Sequence, residues 1–340
     1  MDQMKGKASI AFEHPPVIAS AASAAGTKEG EGPLGDLFDY VAVEDTLGKE
    51  NWEEAESALQ EKAARLAITK AGYQQQEIRY LFAGDLLGQL IATSFGLLDL
   101  EIPIFGLFGA CSTMGESMSL GAMAVGGGYA QKVLSMASSH FATAEKQFRF
   151  PLGYGSQRPL SASWTVTGCG AVVIREEGGK GLAKITGITT GKMVDLGIKD
   201  SANMGAAMAP AAFDTIEQNL ADFQVRENWY DKIITGDLGQ VGSSILIDFM
   251  EKTGRDISKN HMDCGTAIYD PETQDTHAGG SGCGCSAITL CSYVLPKISR
   301  GEWKRVLFVP TGALMSTVSF NEGQTIPGIA HAVVLEHIEA

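Results

Sequence analysis

Cys111 and Ser112 follow an apolar run, residues 104–108, and a small-residue turn, Gly109-Ala110. The run reads as a strand and the residues beyond the turn as a helix opening at Cys111-Ser112. A thiol in that place faces unpaired N–H groups and the positive end of the helix dipole, which lowers its pKa. That is the setting a nucleophile needs, and the same N–H groups form an anion site even without chemistry. Taken alone, Cys111 is better read as a small buried residue and Ser112 as a helix cap. Two later turns carry further candidates. Thr235-Gly236-Asp237-Leu238-Gly239-Gln240 holds an acid, and Thr276-His277-Ala278-Gly279-Gly280-Ser281-Gly282 holds a histidine in a glycine-rich bend. A solvated loop position fits His277 nearly as well as a pocket. Between these turns and Cys111 lies an aromatic, proline- and glycine-rich loop with Arg149 and Arg158. Either guanidinium suits bidentate pairing with a carboxylate, although a surface or interface role is the plainer reading of each alone.

The remaining cysteines do not make a metal site. Cys283 and Cys285, with Cys264 and Cys291, lack the usual Cys-x2-4-Cys spacing, and a pair two apart on a helix points to different sides. Small buried core residues are the better reading, and neither a metal nor a cofactor is expected. The Gly126-Gly127-Gly128 run lacks the lysine-serine sequel of a phosphate loop and reads as a helix terminator.

The elements that would position these residues occur twice in the same order. A strand over residues 7–12 and a second apolar run open the first half, and residues 181–188 open the second. Residues 52–71 form a helix with alanine and leucine at helical spacing, a glutamate-rich first turn and Gly72 as its stop; residues 211–219 are its shorter counterpart. Residues 80–89 match 232–240: an apolar strand, then Gly84-Asp85-Leu86 or Gly236-Asp237-Leu238, then Gly88-Gln89 or Gly239-Gln240 opening a helix. Asp85 in the matching place allows Asp237 to be an ordinary turn residue. Each half then has a small-residue turn into a small-residue helix, at 109–112 and 279–282, and closes on a strand, at 171–174 and 332–335. This alternation is that of a layered α/β protein, with halves 1–177 and 178–340 joined near Gly178-Gly179. Residues 190–210, rich in methionine, glycine and alanine, read as a mobile loop that covers the pocket.

Bulk properties narrow the function. The 340 residues carry a net charge of -14, which excludes attraction to nucleic acid and to an anionic membrane surface, while docking to a membrane protein stays open. No apolar run reaches the roughly 18 residues of a membrane span, and no secretory signal is visible. Six cysteines in a chain of this length are expected to be free thiols in a reducing compartment. Residues 29–39 form an acidic loop that is solvated or serves as a docking surface.

Two similar α/β halves, a Cys-Ser elbow in the first and a His-x-Gly-Gly-Ser-Gly segment in the second resemble the thiolase and ketoacyl-synthase superfamily. The segments Gly-Pro-Leu-Gly-Asp-Leu-Phe-Asp-Tyr at 32–40 and Glu-Asn-Trp-Glu-Glu-Ala-Glu-Ser at 50–57 resemble one branch, the stage V sporulation protein AD family. The resemblance implies a five-layer αβαβα fold, a homodimer, and a pocket at the Cys111 helix. It also implies catalytic histidines that this sequence lacks or alters. Asp237 lies at or beside the first histidine slot, where its charge opposes a thiolate; His277 sits in an altered form of the second; no second cysteine follows Thr311. The expectation is therefore a non-catalytic protein that binds dipicolinic acid, or its calcium chelate, for uptake into the developing spore. The expected ligand-binding residues are Cys111, Ser112, Arg158, Asp237, Gln240, His277, Gly279, Gly280 and Ser281, with calcium able to bridge Asp237 and the ligand. The resemblance places the chain in the forespore and spore, held at the inner membrane by membrane proteins of the same sporulation channel complex. Two alternatives stay open: a cysteine-dependent acyltransferase or condensing enzyme using Cys111 and His277, and a structural subunit of the channel complex with a vestigial pocket.

Overall fold

Helix Trp52–Lys70 starts where its sequence can satisfy its own open donors. The Asn51 side chain accepts the Glu54 N–H (2.9 Å), Glu53 and Glu54 lie in the first turn, and Gly72, at φ +73°, ends the element. Its buried face, Ala55, Leu59, Ala63 and Ala67, is spaced by fours and lies on the strands Val17–Ala25, Gly168–Arg175 and Lys132–Ser139. A computed structural model describes residues 3–148 and 157–339 of the chain. No helix among them is long and apolar enough to cross a membrane.

The main sheet of the described residues runs through two matching sets of strands. In the first half the order is Val17–Ala25, Gly168–Arg175, Lys132–Ser139, Tyr80–Asp85, Ile104–Gly106. In the second it is Ala183–Thr189, Ala332–Glu336, Arg305–Val309, Lys232–Thr235, His261–Asp263. Numbered along the chain, each half therefore reads first, fifth, fourth, second, third. The halves meet where Ala183 and Lys184 pair with Ile18 and Val17.

Two helices, Thr113–Gly126 and Cys283–Thr289, are packed between the two halves of the sheet, and outer helices cover the opposite faces. Their approach is close enough to require glycine. A Cβ on Gly170 would stand 2.3 Å from the Ala287 carbonyl oxygen, and one on Gly284 would stand 2.6 Å from that of Gly168. In the other helix a Cβ on Gly121 would stand 2.5 Å from the Ser135 hydroxyl oxygen, so small residues are a packing requirement of both.

Some elements differ from the sequence reading. The strand read over residues 7–12 is the short Ser9–Ala11, paired with Met4–Lys5, and the second apolar run, Val17–Ala25, supplies the long central strand because its small side chains fit between helices on both faces. The outer helix of the second half is Met204–Phe223, much longer than residues 211–219. Pro210 lies inside it, and Asn203 caps it by accepting the Ala206 N–H (3.3 Å). The segment 190–210 is accordingly only a loop up to Asn203.

Candidate ligand-binding site

The elbow forms as its residue types require. Strand Ile104–Gly106 leads through Gly109 and Ala110 to the helix Thr113–Gly126, and Ala110 takes a left-handed conformation, φ +50°, that is unusual for a residue with a Cβ. Cys111 is buried at the head of this helix and lines a cavity with Glu145, Thr165, Ala202, Ser281 and Met315.

The helix head does not offer the expected anion site. The Ser112 and Thr113 N–H groups turn back to the carbonyls of Gly109 and Ala110 (3.0 and 3.3 Å), and the Ser112 hydroxyl donates to Gly109 (2.7 Å). Ser112 is fully buried and lies off the cavity wall. The thiol is also not activated. Burial pushes the Cys111 pKa well up, and the neighbouring Asp237 carboxyl, which the thiol hydrogen-bonds, pushes it further.

Asp237 sits behind Cys111, 2% exposed, and is not in the cavity lining. Its Oδ1 accepts the Thr311 hydroxyl (2.8 Å), its Oδ2 accepts the Gly282 N–H (3.0 Å), and the Cys111 thiol donates to it as well. Burial raises its pKa to about 7. The turn role that duplication suggested belongs to other acids. In the first half Asp85 accepts the N–H groups of Leu87 (3.0 Å) and Thr93 (3.1 Å), closing its own turn. In the second half that task falls to Asp263, which accepts the N–H groups of Leu238 (2.9 Å) and Gly239 (3.0 Å) and caps the next helix. Asp237 is left free to reach across to Thr311 and Gly282. A calcium bridge from Asp237 to a ligand has no room, since the carboxyl is sealed and its oxygens are engaged.

The other expected residues separate. Ser281 lines the cavity, and it pairs with Thr165 across a short strand contact while Gly280 pairs with Trp164. Gly279 (φ +118°) and Gly280 are structural: a Cβ on either would strike the Gly265 carbonyl oxygen (2.5 Å) or the Ile268 side chain (2.7 Å). Gln240 has an exposed side chain; its backbone N–H donates to Ala278 (2.8 Å) and its carbonyl accepts the Ser244 hydroxyl (3.0 Å). His277 takes φ +52° and does not line the cavity. Its Nδ1 hydrogen-bonds the Pro159 carbonyl (2.9 Å) and its Nε2 lies 3.1 Å from Asp275, so a Cys111–His277 dyad is not formed. Arg158 is off the cavity too: it donates to Asp275 (2.9 Å) and lies 4.8 Å from the centre of the Trp164 ring. Arg149 falls outside the described residues. The four cysteines considered for zinc are buried free thiols, and Cys283 donates to the Ser138 carbonyl (2.7 Å).

The space beside Cys111 is small, about 40 Å³, room for a few water molecules. Leu86, Phe108 and Met315 divide it from a larger cleft of about 440 Å³, within the usual range of ligand sites. The cleft is acidic. Glu53, Glu56 and Asp85 line it, with Glu53 paired to Lys146. Burial and the adjacent Asp85 raise Glu56 to about 8, so it is not the solvated dipole partner its place in the helix suggests. Glu145, Met204 and Met315 had no sequence signal, because distant helices and turns bring them to the cavity.

Comparison with known proteins agrees with the fold. The model of the family described as Stage V sporulation protein AD matches residues 6–336. Stage V sporulation protein AD of Bacillus subtilis (strain 168) is 45% identical over 334 residues, covering 98% of each chain. A tetronic acid condensing enzyme superposes with a TM-score of 0.60 at 18% identity, covering 94% of this chain and 99% of the enzyme. The 3-oxoacyl-[acyl-carrier-protein] synthase III of Aquifex aeolicus VF5 gives 0.57 at 14% identity, over 95% of this chain and 100% of that one. At such identity these likenesses bear on the fold alone, which is that of thiolase-like condensing enzymes.

Proposed function

The chain belongs to the Stage V sporulation protein AD family, and we propose that it binds dipicolinic acid, free or as its calcium chelate, for uptake into the developing spore, without turning it over. The observation that carries the non-catalytic reading is the contact between Cys111 and Asp237. A buried thiol beside a buried carboxyl is the reverse of an activated nucleophile, and among the described residues no histidine lines the cavity with it. What stays is a mostly apolar space with a few polar groups, Thr165 and Ser281 among them, separated by Leu86, Phe108 and Met315 from a larger cleft, which suits binding. A ligand that reaches Cys111 needs Phe108 or Met315 to move aside, since the space there is too small for an aromatic dicarboxylate. The test is a calorimetric titration with dipicolinate, with and without calcium, on the wild type and Cys111→Ala. Saturable binding weakened by the substitution supports the reading; stoichiometric acylation of Cys111 by an acyl-CoA, seen by intact mass, would replace it with an acyltransferase.

The same small volume favours a second reading, a structural subunit of the sporulation channel complex whose pocket is vestigial. Assembly that survives filling of the cavity, together with absent dipicolinate binding, would support it. In either case we place the protein in the forespore and spore, held at the inner membrane by membrane-protein partners. We also propose a homodimer through the edge strand Ile104–Gly106, which ends the sheet with Ile104 and Phe105 about half exposed (45% and 52%).

A further inference from the structure

The cleft of about 440 Å³ is lined by two buried acids, Glu56 from the helix Trp52–Lys70 and Asp85 from the end of the strand Tyr80–Asp85, each 1% exposed. Few donors serve them. Glu56 accepts the hydroxyls of Ser138 (2.7 Å) and Thr143 (3.0 Å), and Asp85 accepts the Leu87 N–H (3.0 Å) and the N–H (3.1 Å) and hydroxyl (2.6 Å) of Thr93. Gln60, fully buried, ties the two together: its Nε2 donates to the hydroxyls of Thr93 (3.0 Å) and Ser138 (2.7 Å), while its Oε1 has no donor. Among the described residues no lysine or arginine pairs with Glu56 or Asp85, and Lys146 is taken by Glu53. The network is therefore rich in acceptors and short of donors and of positive charge. Above it stand apolar side chains, Leu86, Ile91, Phe108, Met315 and Val318.

We propose that the cleft is a second binding site, for a primary ammonium group on an apolar body: the ammonium donates to Glu56 and Asp85, and Ile91, Phe108 and Val318 receive the body. The space and the ligand differ from those of dipicolinate at Cys111, so the two functions stand or fall separately. An ammonium brings three N–H donors and the missing charge in one group. Without a ligand, a proton supplies that charge, since burial and the adjacent Asp85 raise Glu56 to about 8. Binding then exchanges one cation for another: the amine enters with its three protons, and Glu56 releases its own to solvent. The other titratable groups around Glu56 do not take this part. Asp85 has three donors of its own, Glu53 is paired with Lys146, burial lowers His140, and burial pushes the Cys169 and Cys283 thiols well up.

The test titrates the wild type, Glu56→Gln and Glu44→Gln, the last an exposed acid that controls for the loss of one charge. The probes are tryptamine and tryptophol, which differ only in carrying an ammonium or a hydroxyl. In calorimetry at pH 8 the wild type and Glu44→Gln should bind tryptamine at least about tenfold more tightly than tryptophol, and Glu56→Gln should bind both about equally. Wild-type affinity for tryptamine should rise about tenfold from pH 6 to pH 7 and level off above about pH 8.5. Close to one proton should be released per ligand at pH 7, read from buffers of different ionisation enthalpy. Glu56→Gln should show neither effect. Equal wild-type affinity for the two probes, no wild-type binding of tryptamine, or a Glu56→Gln protein that keeps the preference overturns the inference. The wild-type comparisons need no variant, so they decide the matter even if Glu56→Gln does not fold.

Discussion

Asp85 and Asp237 occupy equivalent places in two copies of one turn, yet only Asp85 closes its turn, while Asp237 reaches Cys111, Thr311 and Gly282. This difference decides the chemistry at the elbow. A thiol raised by burial and by an adjacent acid is slow, so Cys111 of the wild type should resist iodoacetamide at neutral pH and react only after unfolding. Peptide mass analysis after timed labelling checks this, and rapid labelling of the folded protein would contradict it. The buried acids also fix a pH dependence. Burial raises Glu29 and Asp237 to about 7 and Glu56 to about 8. An acid raised on folding holds its proton more tightly in the folded state, so its contribution is full below the ordinary carboxylate range and is lost as pH rises through the folded value. For Glu56 that loss runs from near pH 4.5 up to about 8. Thermal melts should therefore fall by roughly 3 °C between pH 6 and pH 8, and Glu56→Gln should flatten part of that fall. At this scale the sequence was partly legible. Cys111 and Ser281 line the cavity, as their motifs suggested. His277 and Gln240 do not, because Pro159 and Asp275 hold the His277 ring and Gln240 is exposed.

Elements were more legible than side chains, because strand and helix periods and glycine stops are local signals. The helix Trp52–Lys70 and its Asn51 cap follow directly from spacing and composition, and Asn51→Ala should cost about 1 kcal/mol in chemical denaturation. The length of Met204–Phe223 was not legible, because Pro210 reads as a breaker and only tertiary packing carries the helix through it. The contacts between the sheet and the central helices are the least forgiving, as at Gly170 of the strand Gly168–Arg175. Gly170→Ala would drive a methyl group into the Ala287 backbone, and about 3 kcal/mol of destabilisation is expected, with soluble yield and melting temperature both lowered.

For the molecule as a whole, the duplicated strand order explains why an order of motifs could be read without an alignment: each half repeats the same path through its part of the sheet. The cavity and cleft were not legible, since residues from both halves meet there across long sequence distances. The edge strand makes its own prediction at this scale. The wild type should be dimeric by light scattering and Phe105→Lys largely monomeric, with an unchanged wild-type-like mass refuting that interface. The most direct measurement of the binding function is a dipicolinate titration, in calcium, of the wild type and of Ala202→Trp, which fills the cavity from a surface turn. Saturable wild-type binding that disappears in a folded Ala202→Trp protein is the predicted result. Binding that the filled cavity leaves unchanged, or no binding by the wild type, would contradict it.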